Sequence, residues 1–263
     1  MTLNEAIQTM ADEIVSVLAD NKPVIYLFGS VALDDFKLGW SDIDLLVLAK
    51  QAIAEQQADI LVGLRQELLR RYSGNPYFRL FEGGMLSADA FLNGRNECAV
   101  YWGTSGQRLT NDYHMDSFGM AELLDSGVLL YGRDIRGEMA YPTYGQMCGD
   151  IARHIQRARK YGDSAGWLLD IARGLYTLRT GKIIAKTTAG EWALQEGLCP
   201  NPKMLQMAVR IRKEPLRFSE EDRAMDNAVI GRFADVLDDE LAGRILPLAV
   251  ATAAVSSNDY FIR

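Results

Sequence analysis

The chain has 263 residues, of which 48% are hydrophobic and 24% are charged. This length corresponds to one large domain or two modest ones. The composition is typical of a globular protein and excludes disordered, collagen-like and disulfide-rich chains. The net charge of −7, from 35 acidic and 28 basic residues, disfavours nucleic acid as the main partner and suits a cationic ligand or a metal ion.

The remaining composition points to a cytoplasmic protein. The three cysteines are far apart and lack CxxC spacing, so we predict neither a zinc site nor a disulfide framework. No stretch is apolar for the roughly 18 residues that a membrane span needs, and the N-terminus lacks the basic flank of a signal peptide. We therefore expect no membrane partner.

The first 135 residues or so alternate helical and strand patterns. Apolar residues at helical spacing predict a helix over 4–20, and the β-branched and aromatic run Val24–Phe28 predicts a buried strand. A second strand follows over 42–48 and a second helix over 52–71. Weaker patterns predict further strands at 78–86, which Gly83-Gly84 weakens, at 98–102 and at 127–131.

After Arg133 the pattern becomes helical throughout. The predicted helices, separated by Gly, Pro or Asn, are 144–161, 164–179, 187–196, 202–213 and 219–241. We therefore predict an α+β N-terminal domain, a mixed sheet with flanking helices over residues 1–140, and an all-α helical-bundle domain over residues 141–263.

The most informative stretch joins a Gly-Ser turn to a pair of aspartates. Gly29-Ser30 follows the first strand, where glycine permits a tight turn and serine supplies a hydroxyl and an N–H for phosphate oxygens. Ser41 precedes Asp42 and Asp44, which are two apart and so point to one face of a strand. A divalent ion would relieve their mutual repulsion, and Mg²⁺ prefers such oxygen ligands.

This pattern resembles the polymerase-β-like nucleotidyltransferases. The specific form, LFGSVALDDFKLGWSDIDLLVL, is similar to the aminoglycoside nucleotidyltransferases, and the segment from Leu169 to Lys186 is similar to the streptomycin/spectinomycin (3'')(9) adenylyltransferases. The resemblance implies transfer of AMP from ATP to a drug hydroxyl with release of pyrophosphate. It implies that Asp42 and Asp44 hold Mg²⁺, two ions in all, and that Gly29, Ser30 and Ser41 contact phosphate.

The third carboxylate of this superfamily has two candidates in the chain. Glu82 follows a predicted strand and matches the position of the family's catalytic base, so the resemblance implies that it is a general base and a metal ligand. Asp89 is the alternative, in a Ser-Ala-Asp segment that is typical of a helix start.

The resemblance also implies ligand contacts elsewhere in the chain. Arg173 and Lys186 match cations that reach the triphosphate from the helical domain, which would close the ATP and drug cleft. Trp102 matches a tryptophan that stacks on streptomycin, with a position in the core as the alternative. Asp163 falls near the family's drug-binding aspartate. We expect a monomer with ATP and a cationic aminoglycoside or aminocyclitol as its ligands.

Two further functions remain open on the sequence alone. The same chemistry could act on another small molecule or on a protein hydroxyl, and a non-catalytic, antitoxin-like nucleotidyltransferase-fold module is the alternative from a different class. The helical second domain and Glu82 both disfavour the latter. His114 and His154 form no recognisable pair with other ligand types, and we interpret both as structural or surface residues. The drug and the hydroxyl stay undetermined.

Overall fold

The computed structural model describes residues 1–103 and 106–258, with side chains through residue 244. The chain divides into two compact units, Met1–Tyr141 and a second that begins at Pro142. The first is a mixed sheet with helices and the second is helical, which confirms the predicted fold class. No helix among these residues combines the length and apolar character needed to cross a membrane.

The first unit is built on one six-stranded sheet with the order β5-β4-β3-β2-β1-β6. Only β2 and β3 pair in parallel, and the other neighbours are antiparallel. The strands are β1 Val24–Phe28, β2 Ile43–Ala49, β3 Phe81–Ser87, β4 Ala99–Gly103, β5 Gly106–Thr110 and β6 Val128–Tyr131. The helices are α1 Leu3–Leu18, α2 Gly29–Ala32, α3 Glu55–Arg71, α4 Ala88–Asn93 and α5 Ser117–Ser126.

Both faces of this sheet are covered by apolar side chains. Alternate residues of β2 divide between two cores, because Leu45 and Val47 face the side on which α1 and α3 pack, whereas Leu46 and Leu48 face the side of α4 and α5. Strand β2 is therefore buried on both faces, as its nearly continuous apolar sequence requires.

The edge strand β6 is fixed to β1 by a buried tyrosine. The hydroxyl of Tyr26 donates to Asp134 Oδ1 at 3.0 Å and accepts from the Ile135 N–H at 2.7 Å. Burial raises the pKa of Tyr26 to about 12, so the phenol stays protonated and keeps both hydrogen bonds. The end of the first unit is thereby joined to its first strand.

The second unit surrounds one central helix. Its helices are α6 Tyr144–Tyr161, α7 Ala165–Thr180, α8 Lys186–Gln195, α9 Pro202–Lys213, α10 Glu220–Arg223 and α11 Asn227–Asn258. Helix α7 packs against α6, α8, α9 and α11, and it is buried along most of its length.

The predicted helix over 219–241 differs from the structure at both its middle and its end, because α11 continues to Asn258. It is two helices, because Ala224 leaves the helical conformation and pairs with Ser164, and the Met225 N–H donates to the Asp163 carbonyl at 2.8 Å. The capping box of Ser219 and Asp222 starts only the short α10. Backbone contacts with the turn between α6 and α7 therefore interrupt the helix, although the sequence pattern of this segment is helical throughout.

Candidate active site and cation cluster

The turn after β1 requires a glycine for two reasons. Gly29 has a φ of +67°, which L side chains rarely adopt. In addition, Phe28 pairs with Asp44, and a Cβ on Gly29 would overlap the Asp44 carboxylate. The Gly-Ser turn and the carboxylate strand are therefore in direct contact, as the motif spacing predicts.

The two serines of the motif mainly order the backbone around the aspartates. The Ser30 hydroxyl donates to the Asp42 carbonyl at 3.2 Å and ties the turn to the start of β2. Ser41 is 4% exposed, and its hydroxyl accepts from the Lys37 N–H at 2.9 Å. The Ser41 hydroxyl is thus buried in the loop that leads into Asp42, and the phosphate contact of Ser41 stays a prediction.

Parallel pairing of β2 and β3 places the third carboxylate beside the aspartates. Asp44 is directly opposite Glu82 in the register, on strands about 4.8 Å apart, so the two side chains leave the same face of the sheet. Asp42 precedes β2 by one residue, and all three are partly exposed. Asp89 lies beyond the other end of β3, where it pairs with Arg95 at 2.7 Å on the surface. The structure thus favours Glu82 over Asp89 as the neighbour of Asp44.

Close contacts require glycine at the two positions after Glu82, and neither glycine disturbs the register of β2 and β3. Gly83 has a φ of +141°, and a Cβ there would overlap the Leu45 carbonyl of β2. A Cβ on Gly84 would overlap the ring of Tyr113, which packs on this face of the strand. Strand β3 therefore continues through both positions, although glycines weaken the strand pattern in the sequence.

Aromatic and basic side chains surround the carboxylates. Burial, followed by the charge of Asp44, raises the pKa of Tyr113 above its usual range, so this phenol is neutral at physiological pH. Tyr101 pairs with Gly84 across β3 and β4, and the Arg108 guanidinium carbon lies 4.6 Å from its ring centroid. The sequence pattern gives no reason to single out these three residues, because their approach depends on strand pairing.

A buried arginine lies on the α3 side of the carboxylates. Arg65 is 7% exposed and donates to the Phe81 carbonyl at 2.7 Å. Burial lowers its pKa, while the charges of Glu82 and Asp42 raise it in opposition. Because a guanidinium keeps its proton in proteins, Arg65 is a fixed positive charge near two of the three acids.

The donor set fits a magnesium ion that shares its ligands with a nucleotide. Within the described residues, no three His, Cys, Asp or Glu side chains are close enough to hold a metal by themselves. Mg²⁺ commonly binds through only one or two carboxylates and takes its other ligands from phosphate and water. Asp42 and Asp44 supply such hard oxygen donors beside the Gly-Ser turn.

In the second unit, the two predicted phosphate-binding cations lie around one carboxylate. Lys186 Nζ is 2.8 Å from Asp170 Oδ1, and Arg173 Nη2 is 3.7 Å from the same oxygen. His154 Nε2 is 3.7 Å from Asp170 Oδ2, and its ring packs against Trp167 with centroids 5.0 Å apart. We call Asp170, Lys186, Arg173 and His154 the cation cluster. His154 is structural here, as the sequence suggests, but it belongs to this cluster.

The two residues expected to contact the drug have different environments. Asp163 is exposed in the turn between α6 and α7, and its carboxylate faces solvent. Trp102 is fully buried, and its indole N–H donates to the Leu61 carbonyl at 3.0 Å. The expectation that Trp102 stacks on the drug is therefore corrected: its ring packs in the core between β4 and α3, which was the alternative interpretation.

Comparisons with known proteins agree with this architecture. The model of the nucleotidyltransferase domain matches residues 12–79, which include the Gly-Ser turn and both aspartates. The model of the aminoglycoside adenylyltransferase C-terminal domain matches residues 146–239, which include the cation cluster. Comparison with curated protein sequences gives no significant match.

Two solved structures extend the comparison. The crystal structure of the spectinomycin adenyltransferase AAD(9) from Enterococcus faecialis with ATP and spectinomycin matches at a TM-score of 0.65 and 18% identity, over 92% of this chain and 100% of that chain. At this identity the match shows a shared fold. A toxin–antitoxin structure with AMP-PNP covers 56% of this chain and 90% of that one, with 17% identity, but its TM-score of 0.27 is too low to carry an argument.

Together the fold, the carboxylate strand and the first domain match define the chain as an enzyme of the nucleotidyltransferase class. The second domain match narrows this assignment, because residues 146–239 match the C-terminal domain of the aminoglycoside adenylyltransferases.

Proposed function

We propose that this enzyme transfers AMP from ATP to a hydroxyl of an aminoglycoside or aminocyclitol antibiotic, spectinomycin or streptomycin, in a Mg²⁺-dependent reaction that gives resistance. The observation that carries the proposal is the pairing of Asp44 with Glu82 beside the Gly29 turn. ATP and spectinomycin are the ligands named for the solved AAD(9) structure, which shares the fold. The net charge of −7 supports a cationic acceptor.

In the proposed mechanism, the chain positions the reactants and handles one proton. Gly29 and Ser30 would bind phosphate oxygens at the turn, and Asp42 and Asp44 would hold Mg²⁺, with the Glu82 carboxylate beside them. The metal, when bound, neutralises charge that develops on the phosphate. Glu82 accepts the proton of the acceptor hydroxyl, whose oxygen attacks the α-phosphorus while pyrophosphate leaves.

The second unit has a binding role in this proposal. Arg173 and Lys186 would donate to the triphosphate, since two cations held side by side suit a polyanion. Asp163 would pair with an ammonium or guanidinium group of the drug, and its exposure is compatible with that role. We propose residues 1–140 as the catalytic domain and residues 141–263 as the domain that completes nucleotide and drug binding.

The decisive experiment is incubation of the purified chain with ATP, Mg²⁺ and a panel of aminoglycosides and aminocyclitols. Pyrophosphate release and the mass of an AMP adduct identify the acceptor, and EDTA should stop both. Asp44→Asn is the inactive control, and Asp89→Asn, which alters only a surface ion pair and a hydrogen bond from Asn93, is the matched active control. Adducts on another small molecule or on protein would contradict the drug assignment, and absence of any adduct would favour a non-catalytic module.

Location and assembly are separate proposals. The composition supports a cytoplasmic protein, and we propose that it acts as a monomer. Cell fractionation and light scattering of the purified chain test these two statements independently of activity.

A further inference from the structure

The central helix of the second unit, α7, carries a largely buried carboxylate. Asp170 is 16% exposed at its side chain, and the neighbouring Leu169 and Ile171 in α7 are fully buried. A buried charge is unfavourable unless partners compensate it, and even a paired one stabilises less than well-packed apolar groups. Stability alone therefore does not explain an aspartate at this position.

The partners of Asp170 come from three different helices. Lys186 begins α8, Arg173 is one turn further along α7, and His154 is on α6. Burial alone would raise the pKa of Asp170, but the positive charges of Lys186 and Arg173 lower it below its usual range. Burial lowers the pKa of His154, so this imidazole is neutral at physiological pH. One negative charge is thus shared by two permanent cations.

We propose that Asp170 is a positioning residue for nucleotide binding. Its carboxylate holds Lys186 and Arg173 close together, although their like charges repel and both side chains have many rotamers. When the triphosphate binds, the two cations are already oriented and lose little further conformational freedom. This inference rests on the proposed nucleotide contacts of Lys186 and Arg173, and it adds a residue that contacts no substrate itself.

The test separates ATP binding from chemistry in the variant Asp170→Asn, which keeps the shape and removes the charge. We expect the KM for ATP and the Kd for ATP by calorimetry to rise about tenfold, with kcat within about twofold, because only preorganisation of the cations is lost. Asp170→Glu, which restores the charge, should recover part of the affinity. An unchanged KM and Kd for ATP in folded Asp170→Asn would overturn the proposal.

Glu240→Gln is the matched control for a merely structural effect. Glu240 also lies in the second unit, pairs with Arg179 at 3.0 Å and Arg244 at 2.7 Å, and has a lowered pKa. Melting temperatures should fall in both variants, whereas only Asp170→Asn should weaken ATP binding. An equal loss of ATP affinity in both would assign Asp170 a structural role and overturn the proposal.

A double-mutant cycle with Lys186→Met decides how Asp170 acts and remains informative if Asp170→Asn alone does not fold. The double variant replaces the pair by two uncharged residues, and its ATP affinity should be within about threefold of Lys186→Met alone. Independent, multiplicative losses would overturn the proposal. If Lys186→Met itself binds ATP normally, the nucleotide contact of the proposed function fails; if it binds weakly while folded Asp170→Asn binds normally, only the positioning role fails.

Discussion

The two groups of charged residues are positioned by different means. In the first unit, strand pairing places Asp44 and Glu82 side by side, so the backbone sets the separation of the acids. In the second unit, the cation cluster is held by the ion pairs of Asp170 with Lys186 and Arg173, and His154 of a third helix contacts the same carboxylate. We therefore expect that substitution of Asp44 or Glu82 has little effect on the fold. Substitution of one residue of the cation cluster should instead change the side-chain positions of the others.

The largest effect should come from the aspartates of the sheet. Asp42→Asn or Asp44→Asn should lower adenylyl transfer by more than about 10⁴-fold, because loss of a metal ion removes several kcal/mol of transition-state stabilisation. The melting temperature should stay close to that of the unchanged chain, since both side chains are partly exposed. Activity assays and thermal denaturation measure both, and near-full activity with Mg²⁺ present would refute the metal assignment.

The next largest effect should come from Glu82, the proposed general base of the first unit. Glu82→Gln should lower kcat by about 10²–10⁴-fold, the usual contribution of a general base, while Mg-ATP binds almost normally. Rapid-quench turnover and calorimetry separate the two quantities. An unchanged kcat would remove the base role from Glu82, and Asp89→Asn again serves as the control because that side chain is ion-paired away from Asp44.

A third change tests whether the backbone really sets the position of the acids. Gly83→Ala should destabilise the chain by about 1–3 kcal/mol, because its Cβ would overlap the Leu45 carbonyl at a positive φ. Gly63→Ala in α3 has open space around its Cβ and should stabilise by about 0.5–1 kcal/mol. Urea denaturation measures both variants. Equal stability of the two would show that β3 does not need its close approach to β2.

The smallest effect should appear at the exposed aspartate of the second unit. Asp163→Asn should weaken streptomycin about three- to tenfold and spectinomycin less, because an exposed ion pair contributes little and only streptomycin carries guanidinium groups. Asp235→Asn, also an exposed acid of this unit and paired with Arg159, is the control. Drug titrations that show equal changes for both antibiotics would leave Asp163 without a role in selectivity.

Local sequence patterns predict most of the first unit but leave two elements out. Strand β1 matches its prediction because Val24–Phe28 is a continuous β-branched and aromatic run. Strand β5 is an edge strand of largely polar residues, and α5 is short and only weakly amphipathic, so neither has a clear pattern. Their positions depend on pairing with β4 and packing on β1, which no local pattern encodes.

The same distinction applies to the two groups of charged residues. The aspartates after the Gly-Ser turn can be recognised in the sequence because residues two apart on a strand point to the same face. The contact of His154 with Asp170 depends on how α6 packs against α7, and neither residue has a motif of its own. The burial of Trp102 similarly depends on the packing of α3 against β4, not on its immediate neighbours in sequence.

The link between Tyr26 and Asp134 has a consequence for synthesis of the chain on the ribosome. These residues are 108 positions apart, and the strand that Tyr26 joins comes from the end of the first unit. The parallel pair β2 and β3 can form once residue 87 has left the ribosome. The Tyr26 hydroxyl, in contrast, has no hydrogen bond to Asp134 until that residue has been synthesised. We therefore expect nascent chains that stop short of Asp134 to stay sensitive to protease, with resistance gained in one step when β6 becomes available.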